Sequence, residues 1–471
     1  VPADPRDRGP GEVAALVARA RAAQAIADGY DQARVDELVA AAGWAILEPA
    51  RNRLLSELAV AGTGIGNVED KVRKNHRKTL GLLRDLRGMR TVGVVSEDPA
   101  KGIVEIARPV GVVCAITPST NPAATPANKI INSLKARNAV IVAPSPKGAT
   151  TCAQLVAFVH EQLERIAAPR DLVQMLPPPI TREATAELMR LCDLVVATGS
   201  QANVRAAYAS GTPAFGVGAG NVAAIVDETA DLAAAAAKIV LSKTFDNATS
   251  CSSENSVVLL EPIAEAMLGA LGKEGCVRLG PEDRERLRRA MWPEGKLSPA
   301  VIGQSAAAIA GLAGLASPAA RGARVLLVEG AEIGAADPFS GEKLSPVMAV
   351  YRARSFAEAK ETVRRIYAFQ GAGHSVSLHS AREERALDLG LHLPVARVIV
   401  NQAHCIANGG SFSNGLPVSL SMGCGTWGRN NFSDNLNVRQ YLNLTRIARP
   451  LPEREPAVDD LLGAYFARWG R

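Results

Sequence analysis

The chain has 471 residues, of which 47% are apolar and 21% charged, an ordinary globular balance with room for roughly three packed units. Its net charge of +6 is modest, and nine Phe, six Tyr and four Trp are too few for a surface that stacks nucleic-acid bases. No apolar run approaches the roughly 18 residues of a membrane helix, and seven cysteines without a CxxC pair form no disulfide framework, so a cytoplasmic protein bound to neither membrane nor nucleic acid is expected.

Residues 1–10, rich in proline and charge, read as a loose terminus without the apolar core of a signal peptide. From Gly11 to about Leu86 apolar residues recur every three or four positions, which predicts helices. Within that stretch Lys71, Arg73, Lys74, His76, Arg77 and Lys78 cluster. Such a run reads as a solvated helix face whose field would draw in small anions. Near Thr91 the period changes to that of a hairpin over 91–107.

Strand–helix alternation follows. Val110–Ile116, Ala139–Ala143, Leu172–Met175 and Leu194–Ala197 read as strands; Asn121–Lys135, Thr150–Ile166, Thr181–Arg190 and a segment ending at Tyr208 read as helices. Continuous apolar strands between amphipathic helices predict a parallel sheet covered on both faces. A second unit of the same kind runs from about Ala223 to Val400. Beyond Gly409 the chain is rich in Gly, Asn and Ser, with a strand at Tyr441–Ile447 and a helix at Asp459–Trp469. On that helix Leu461, Leu462, Tyr465, Phe466 and Trp469 share a face expected to dock on its own enzyme or a neighbouring subunit; a packing tag is the alternative.

Three places carry candidate chemistry. Thr198-Gly199-Ser200 closes a strand and opens a helix, where backbone N–H groups can hold a pyrophosphate. Gly216, Gly218 and Gly220 are spaced wrongly for a dinucleotide fingerprint, and a strand rather than a helix follows them. Cys251 lies in Asp246-Asn-Ala-Thr-Ser-Cys-Ser-Ser-Glu-Asn, among hydroxyls and small residues rather than the apolar neighbours of Cys114 and Cys152, so it is the candidate nucleophile. The six histidines have no metal-ligand spacing, and no metal is expected. His374, between glycines and a strand, is a candidate base.

Together these segments resemble the aldehyde dehydrogenase superfamily, in particular its coenzyme A-acylating branch. Gly111-Val-Val-Cys-Ala-Ile-Thr-Pro-Ser-Thr-Asn-Pro is similar to the family's oxyanion loop and Ser242 to Cys251 to its cysteine region. Glu342-Lys-Leu-Ser-Pro-Val is similar to its nicotinamide-ribose segment, and Leu420-Ser-Met-Gly-Cys-Gly-Thr-Trp-Gly to the C-terminal motif of the acylating enzymes. The likeness runs from about residue 15 to 450 in the family's order. It implies Cys251 as nucleophile, an oxyanion donor at Asn121 or Thr120, and His374 as an aid to proton transfer. Thr117, Pro118, Ser145, Lys147, Thr198, Gly199, Ser200, Gly218, Glu342 and Leu344 are implied to hold the nucleotide. Asn247, Ser250 and Ser252 are implied to offer the aldehyde neutral donors, with at least one neighbouring hydroxyl capping a helix after Cys251.

Two departures from the hydrolytic members sharpen the expectation. Their general-base Glu segment is replaced by Gly216-Val-Gly-Ala-Gly-Asn, so water is poorly activated and a coenzyme A thiol must take the acyl group. Their ribose-binding acid is absent from Ala143-Pro-Ser-Pro-Lys147, which favours NADP, with NAD possible. The expected reaction converts a small aldehyde, sulfoacetaldehyde first, with coenzyme A and NAD(P)+ to the acyl-CoA. Acetaldehyde, propionaldehyde and succinate semialdehyde are the alternatives in the same branch; a hydrolytic dehydrogenase and an inactive assembly partner are the rivals outside it.

The expected fold is therefore α/β and aldehyde dehydrogenase-like, with a Rossmann-like cofactor domain over 11–222 and an α/β catalytic domain over 223–404. A C-terminal portion, 405–471, returns to the first domain and to a small β flap shared with the hairpin 91–107. The flap would join the copies of a homodimer or homotetramer.

Overall fold

The computed structural model of the protein describes residues 10–471. The sequence reading of residues 1–9 therefore lies outside the described residues, and Pro10 already begins a helix. Four helices come first: α1 (Pro10–Asp28), α2 (Gln32–Leu47), α3 (Pro49–Thr63) and α4 (Val68–Leu86). Asp31, Glu48 and Asn67 cap the last three by accepting backbone N–H groups of the first turn. The hairpin β1 (Gly93–Asp98) and β2 (Ile103–Pro109) follows.

The first sheet uses β3 (Val112–Thr117), β4 (Ala139–Pro144), β5 (Val173–Met175), β6 (Leu194–Thr198) and β7 (Ala214–Val217). The helices α5 (Ala124–Lys135), α6 (Ala149–Arg165), α7 (Arg182–Leu191) and α8 (Gln201–Ala209) connect them. All pairings are parallel, in the order β5-β4-β3-β6-β7. Every residue of β3 and β4 is buried, as continuous apolar runs between helical layers require. The chain leaves β3 toward one edge and returns at β6 toward the other. The crevice beyond the carboxyl ends of β3 and β6 is thus the topological switch point where such sheets bind ligands.

The second sheet has seven parallel strands in the order β10-β11-β12-β9-β8-β13-β14. In chain order its elements are β8 (Val222–Val226), α9 (Leu232–Thr244), β9 (Glu254–Leu260), α10 (Ala264–Lys273), β10 (Cys276–Arg278), α11 (Pro281–Met291), α12 (Ala306–Leu312), α13 (Pro318–Arg321), β11 (Val325–Glu329), β12 (Val347–Ala353), α14 (Phe356–Phe369), β13 (Val376–His379), α15 (Glu383–His392) and β14 (Val398–Val400). Separate apolar clusters fill its two faces.

After α16 (His404–Ala407) the chain crosses back, and β15 (Leu442–Ala448) pairs antiparallel with β2 to complete the sheet β1-β2-β15. Asn138 ties this return to the first sheet: its amide oxygen accepts the Val110 and Gly111 N–H groups and its Nδ2 donates to the Tyr441 carbonyl. The last helix, α17 (Val458–Trp469), buries none of its residues, and Leu461 and Trp469 are 70% and 66% exposed. On its own chain the helix is therefore undocked, which leaves a neighbouring subunit or a packing tag among the expected roles.

Candidate active site

Two clefts adjoin near Cys251, which lines the smaller of them. The smaller, about 310 Å³, opens at the β3/β6 switch point and is lined by Pro118, Thr120, Asn121, Thr198, Gly199, Ser200, Gly218, Cys251, Glu342 and Leu344, among others. The larger, about 600 Å³, lies between α4, α9 and the stretch 401–420. Lys78, Asn121, Ser250, Cys405 and Leu420 line both. Cys251 is partly exposed, in a turn that leads into β9 rather than into a helix. The expected helix cap is therefore replaced by a turn in which Ser250 Oγ accepts the Ser252 N–H. Burial pushes the Cys251 thiol up to about 12, and the nearby Glu342 charge adds to this.

The loop before the thiol is held in an unusual shape. Asp246, Asn247 and Ala248 all have positive φ, at 51°, 53° and 60°, a conformation that costs non-glycine residues energy and needs external support. Asp246 supplies it. Its carboxylate accepts from the Nζ of Lys71 and Lys74, from Thr249 Oγ1 and from the Asn67 N–H, while its own N–H donates to Asp70. Burial alone would raise Asp246, yet Lys74 and Lys71 hold it below the ordinary carboxylate range. The basic run on α4 is thus not simply a solvated face: Arg73, His76 and Arg77 face out, whereas Lys71 and Lys74 are buried and Lys78 is half-buried. Lys71 and Lys74 brace the loop before the thiol, a placement that the sequence reading missed.

Asn121 sits where the two clefts join. Its Oδ1 accepts from Lys74 Nζ at 2.8 Å, and its Nδ2 lies 3.4 Å from Thr120 Oγ1. The Cys251 N–H has no protein acceptor among the described residues. Asn121 and Cys251 line the smaller cleft together, so an amide donor and a backbone donor share the space an oxyanion hole would need.

The remaining expected residues divide. Pro118, Thr198, Gly199, Ser200, Gly218, Glu342 and Leu344 line the smaller cleft together. Gly199 takes φ 155°, and Ser200 caps α8 by accepting the Asn203 N–H. Thr125 Oγ1, buried in this cleft, has no protein partner, so the cleft retains polar capacity for a nucleotide. Glu342 is half-buried, accepts the Gly220 N–H at 3.2 Å and is raised to about 8 by desolvation.

Thr117 does not reach the cleft; it is buried at the end of β3. Ser145 and Lys147 follow β4, one strand from the switch point, with Lys147 exposed. Asn247 lines neither cleft, because the left-handed turn sends its Nδ2 to the Gly303 carbonyl. It is not available to the aldehyde. Ser252 lines the smaller cleft, but its Oγ accepts from Asn408.

His374 is buried behind Cys251, outside both clefts. A Cβ on the intervening Gly220 would stand 2.4 Å from the Cys251 carbonyl oxygen and 3.1 Å from His374 Cδ2. Burial and the Arg397 charge keep the imidazole neutral, with Nδ1 on Ser375 Oγ and Nε2 without a protein partner. No group of His, Cys, Asp and Glu among the described residues is arranged to hold a metal ion.

The model of the aldehyde dehydrogenase family matches residues 3–285. Across its whole length the chain is 64% identical to the sulfoacetaldehyde dehydrogenase (acylating) of Cupriavidus necator, covering 96% of that protein. It is 42% identical over 457 residues to the enzyme of the same description from Bilophila wadsworthia, covering 96% of this chain and 98% of that one. Among solved structures, an acetylating aldehyde dehydrogenase from Geobacillus thermoglucosidasius superposes with a TM-score of 0.91 at 35% identity, over 95% of this chain and 98% of its own.

Proposed function

The chain belongs to the aldehyde dehydrogenase family, and from that premise we propose that it oxidises sulfoacetaldehyde to its coenzyme A thioester, with NADP+ as hydride acceptor. One observation carries the acylating half. The thiol lines a cleft that adjoins a second, larger one, while position 216, where hydrolytic relatives hold their base, is a glycine. A Cβ there would stand 2.7 Å from Val204 Cγ1 and 3.1 Å from the Tyr208 ring, so a side chain would have to displace both. Water lacks an activator at that position, and the acyl group waits for a thiol.

The reaction follows from the residues present. Cys251, as thiolate, adds to the carbonyl carbon, and the oxyanion takes hydrogen bonds from Asn121 Nδ2 and the Cys251 N–H. A bound nicotinamide nucleotide supplies the acceptor for the hydride, and the acyl group is left as a thioester on Cys251. The coenzyme A thiol then attacks, loses its proton to solvent and displaces the Cys251 thiolate. Pro118, Thr198, Gly199, Ser200, Gly218, Leu344 and Glu342, which line the smaller cleft, would hold the nucleotide, with the Glu342 carboxylate able to accept from ribose hydroxyls. Ser145 and Lys147 receive a 2′-phosphate. His374, outside the cleft, contributes at most through the backbone around Gly220.

The sheet β1-β2-β15, whose β15 is exposed along nearly all its length, is the contact between copies in a homodimer or homotetramer. Seven free cysteines fit a cytoplasmic setting. No helix among the described residues is long and apolar enough to cross a membrane.

Rapid mixing with sulfoacetaldehyde and NADP+ tests the reading. Without coenzyme A, one equivalent of NADPH should form and turnover then stall; coenzyme A should restore steady turnover. Sustained turnover in water alone would reject acyl transfer, and the absence of any burst would favour a silent assembly partner.

A further inference from the structure

The larger cleft carries an imbalance of charge. Arg73, Lys74, Arg77, Lys78 and Lys238 line it, and no carboxylate does. Lys74 is matched by Asp246, which it shares with Lys71, and Arg73 pairs with Asp70 at the surface. Arg77, Lys78 and Lys238 have no carboxylate within ion-pair distance among the described residues. A neutral aldehyde would gain nothing from such a lining, whose partial desolvation is a cost.

Lys78 differs from the other four cations. It alone lines the smaller cleft with Cys251 as well as the larger one. Its Nζ donates to the Gly409 and Gly410 carbonyls at 2.8 and 3.0 Å, which uses two of its three donors. In sulfoacetaldehyde a single methylene separates the carbonyl carbon from the sulfur. A sulfonate must therefore lodge near the thiol during attack, and among the described residues Lys78 is the one lysine or arginine that lines the cleft holding Cys251. Arg77, exposed on the same helix and stacked on Phe412 at 5.0 Å, stands farther out.

Resting on the sulfoacetaldehyde reading above, we propose that Lys78 receives the sulfonate and sets the preference for anionic aldehydes, with Arg77 drawing the anion into the larger cleft. The charge pair then forms in a partly desolvated place, where it is worth more than at a surface and orients the carbonyl toward Cys251.

The test compares sulfoacetaldehyde with propionaldehyde, both with coenzyme A and NADP+, on the full-length enzyme. Lys78→Met should lower kcat/KM for sulfoacetaldehyde by about 100-fold, mainly through KM, and for propionaldehyde by no more than about threefold. Lys78→Arg should recover part of the preference. Arg77→Gln, at the surface, should lower kcat/KM for sulfoacetaldehyde a few-fold and flatten its dependence on salt.

Equal losses on both aldehydes in Lys78→Met would make Lys78 a clamp for the 409–410 loop and overturn the proposal. So would a preference that survives the substitution. Should Lys78→Met fail to fold, the neutral but polar Lys78→Gln takes its place, and a preference left intact there together with a salt dependence unchanged in Arg77→Gln would overturn the proposal. If the unsubstituted enzyme itself shows no preference for sulfoacetaldehyde, the substrate reading fails first and the receptor falls with it.

Discussion

Lys74 donates from Nζ to Oδ1 of Asn121 at 2.8 Å, and this bond decides which end of the amide meets a carbonyl. With its acceptor end taken, Asn121 presents Nδ2 to the thiol's surroundings. Asn121→Ala should lower the burst rate by about 100-fold with little change in aldehyde affinity, as loss of one oxyanion donor does. Lys74→Met, which frees the amide to rotate, should cost less, about tenfold. A burst rate within threefold of the parent in Asn121→Ala would transfer the role to Thr120, to be checked with Thr120→Val.

Glu342 and Cys251 oppose each other electrostatically. After burial, the Glu342 charge is the next cause that keeps the thiol protonated. Glu342 itself ionises only above about 8, so its charge is present over the range in which the thiol titrates. Removing that charge favours the thiolate, and Glu342→Gln should shift the pH profile of Cys251 alkylation by iodoacetamide to lower pH. At pH 9 the alkylation rate should rise about threefold to tenfold. Turnover should move the other way, with a higher KM for the nucleotide, because an amide accepts ribose hydroxyls less well. An unchanged alkylation profile would mean that burial alone sets the thiol.

The parts legible from the sequence were those whose signal is local. β3 and β4 are unbroken apolar runs because helices cover both their faces, and Cys251 is marked by the small polar residues of its turn. Lys71 and Lys74 were illegible for the opposite reason. Read along the chain they belong to a basic cluster, and a cluster of like charge reads as solvated. Read around a helix, 71, 74 and 78 fall at i, i+3 and i+7 on one face, with 73, 76 and 77 turned away. That spacing was the available signal. What it could not supply was Asp246, 172 residues beyond Lys74, which makes the buried charges tolerable only once the tertiary structure is assembled. Asn247 was misplaced because three successive left-handed residues are set by those same tertiary bonds and not by local propensity.

Lys147 bears on the choice of nucleotide. It is exposed just past β4, and the stretch 143–147 has no acid to repel a 2′-phosphate. Lys147→Ala should raise KM for NADP+ about fivefold while leaving that for NAD+ within about twofold, since a single exposed phosphate contact is worth about 1 kcal/mol. Steady-state rates with both nucleotides measure this. Equal effects on the two would place the 2′-phosphate elsewhere.

Asp246 joins the stability of the enzyme to its chemistry. Its carboxylate is fully buried and faces two lysines that are 4% and 6% exposed. Removing the charge leaves two buried cations sharing no anion, and it also loosens a turn with positive φ at three successive residues. Asp246→Asn keeps one acceptor oxygen, so the expected loss is at the low end for a broken buried pair, about 3 kcal/mol, read as a lower thermal midpoint at pH 7. The pH dependence gives a sharper check. Asp246 is depressed in the folded chain, so its contribution is present above the unfolded value near 3.8 and is lost as pH falls through the lower folded value. The gap in thermal midpoint between the parent and Asp246→Asn should therefore be constant from pH 7 to about 5 and narrow below about 4. The same substitution releases Lys74 and with it Asn121, so the burst rate should fall even at temperatures where the variant remains folded. A variant as stable as the parent, or a gap that widens in acid, would show that Lys71 and Lys74 are held by something other than this carboxylate.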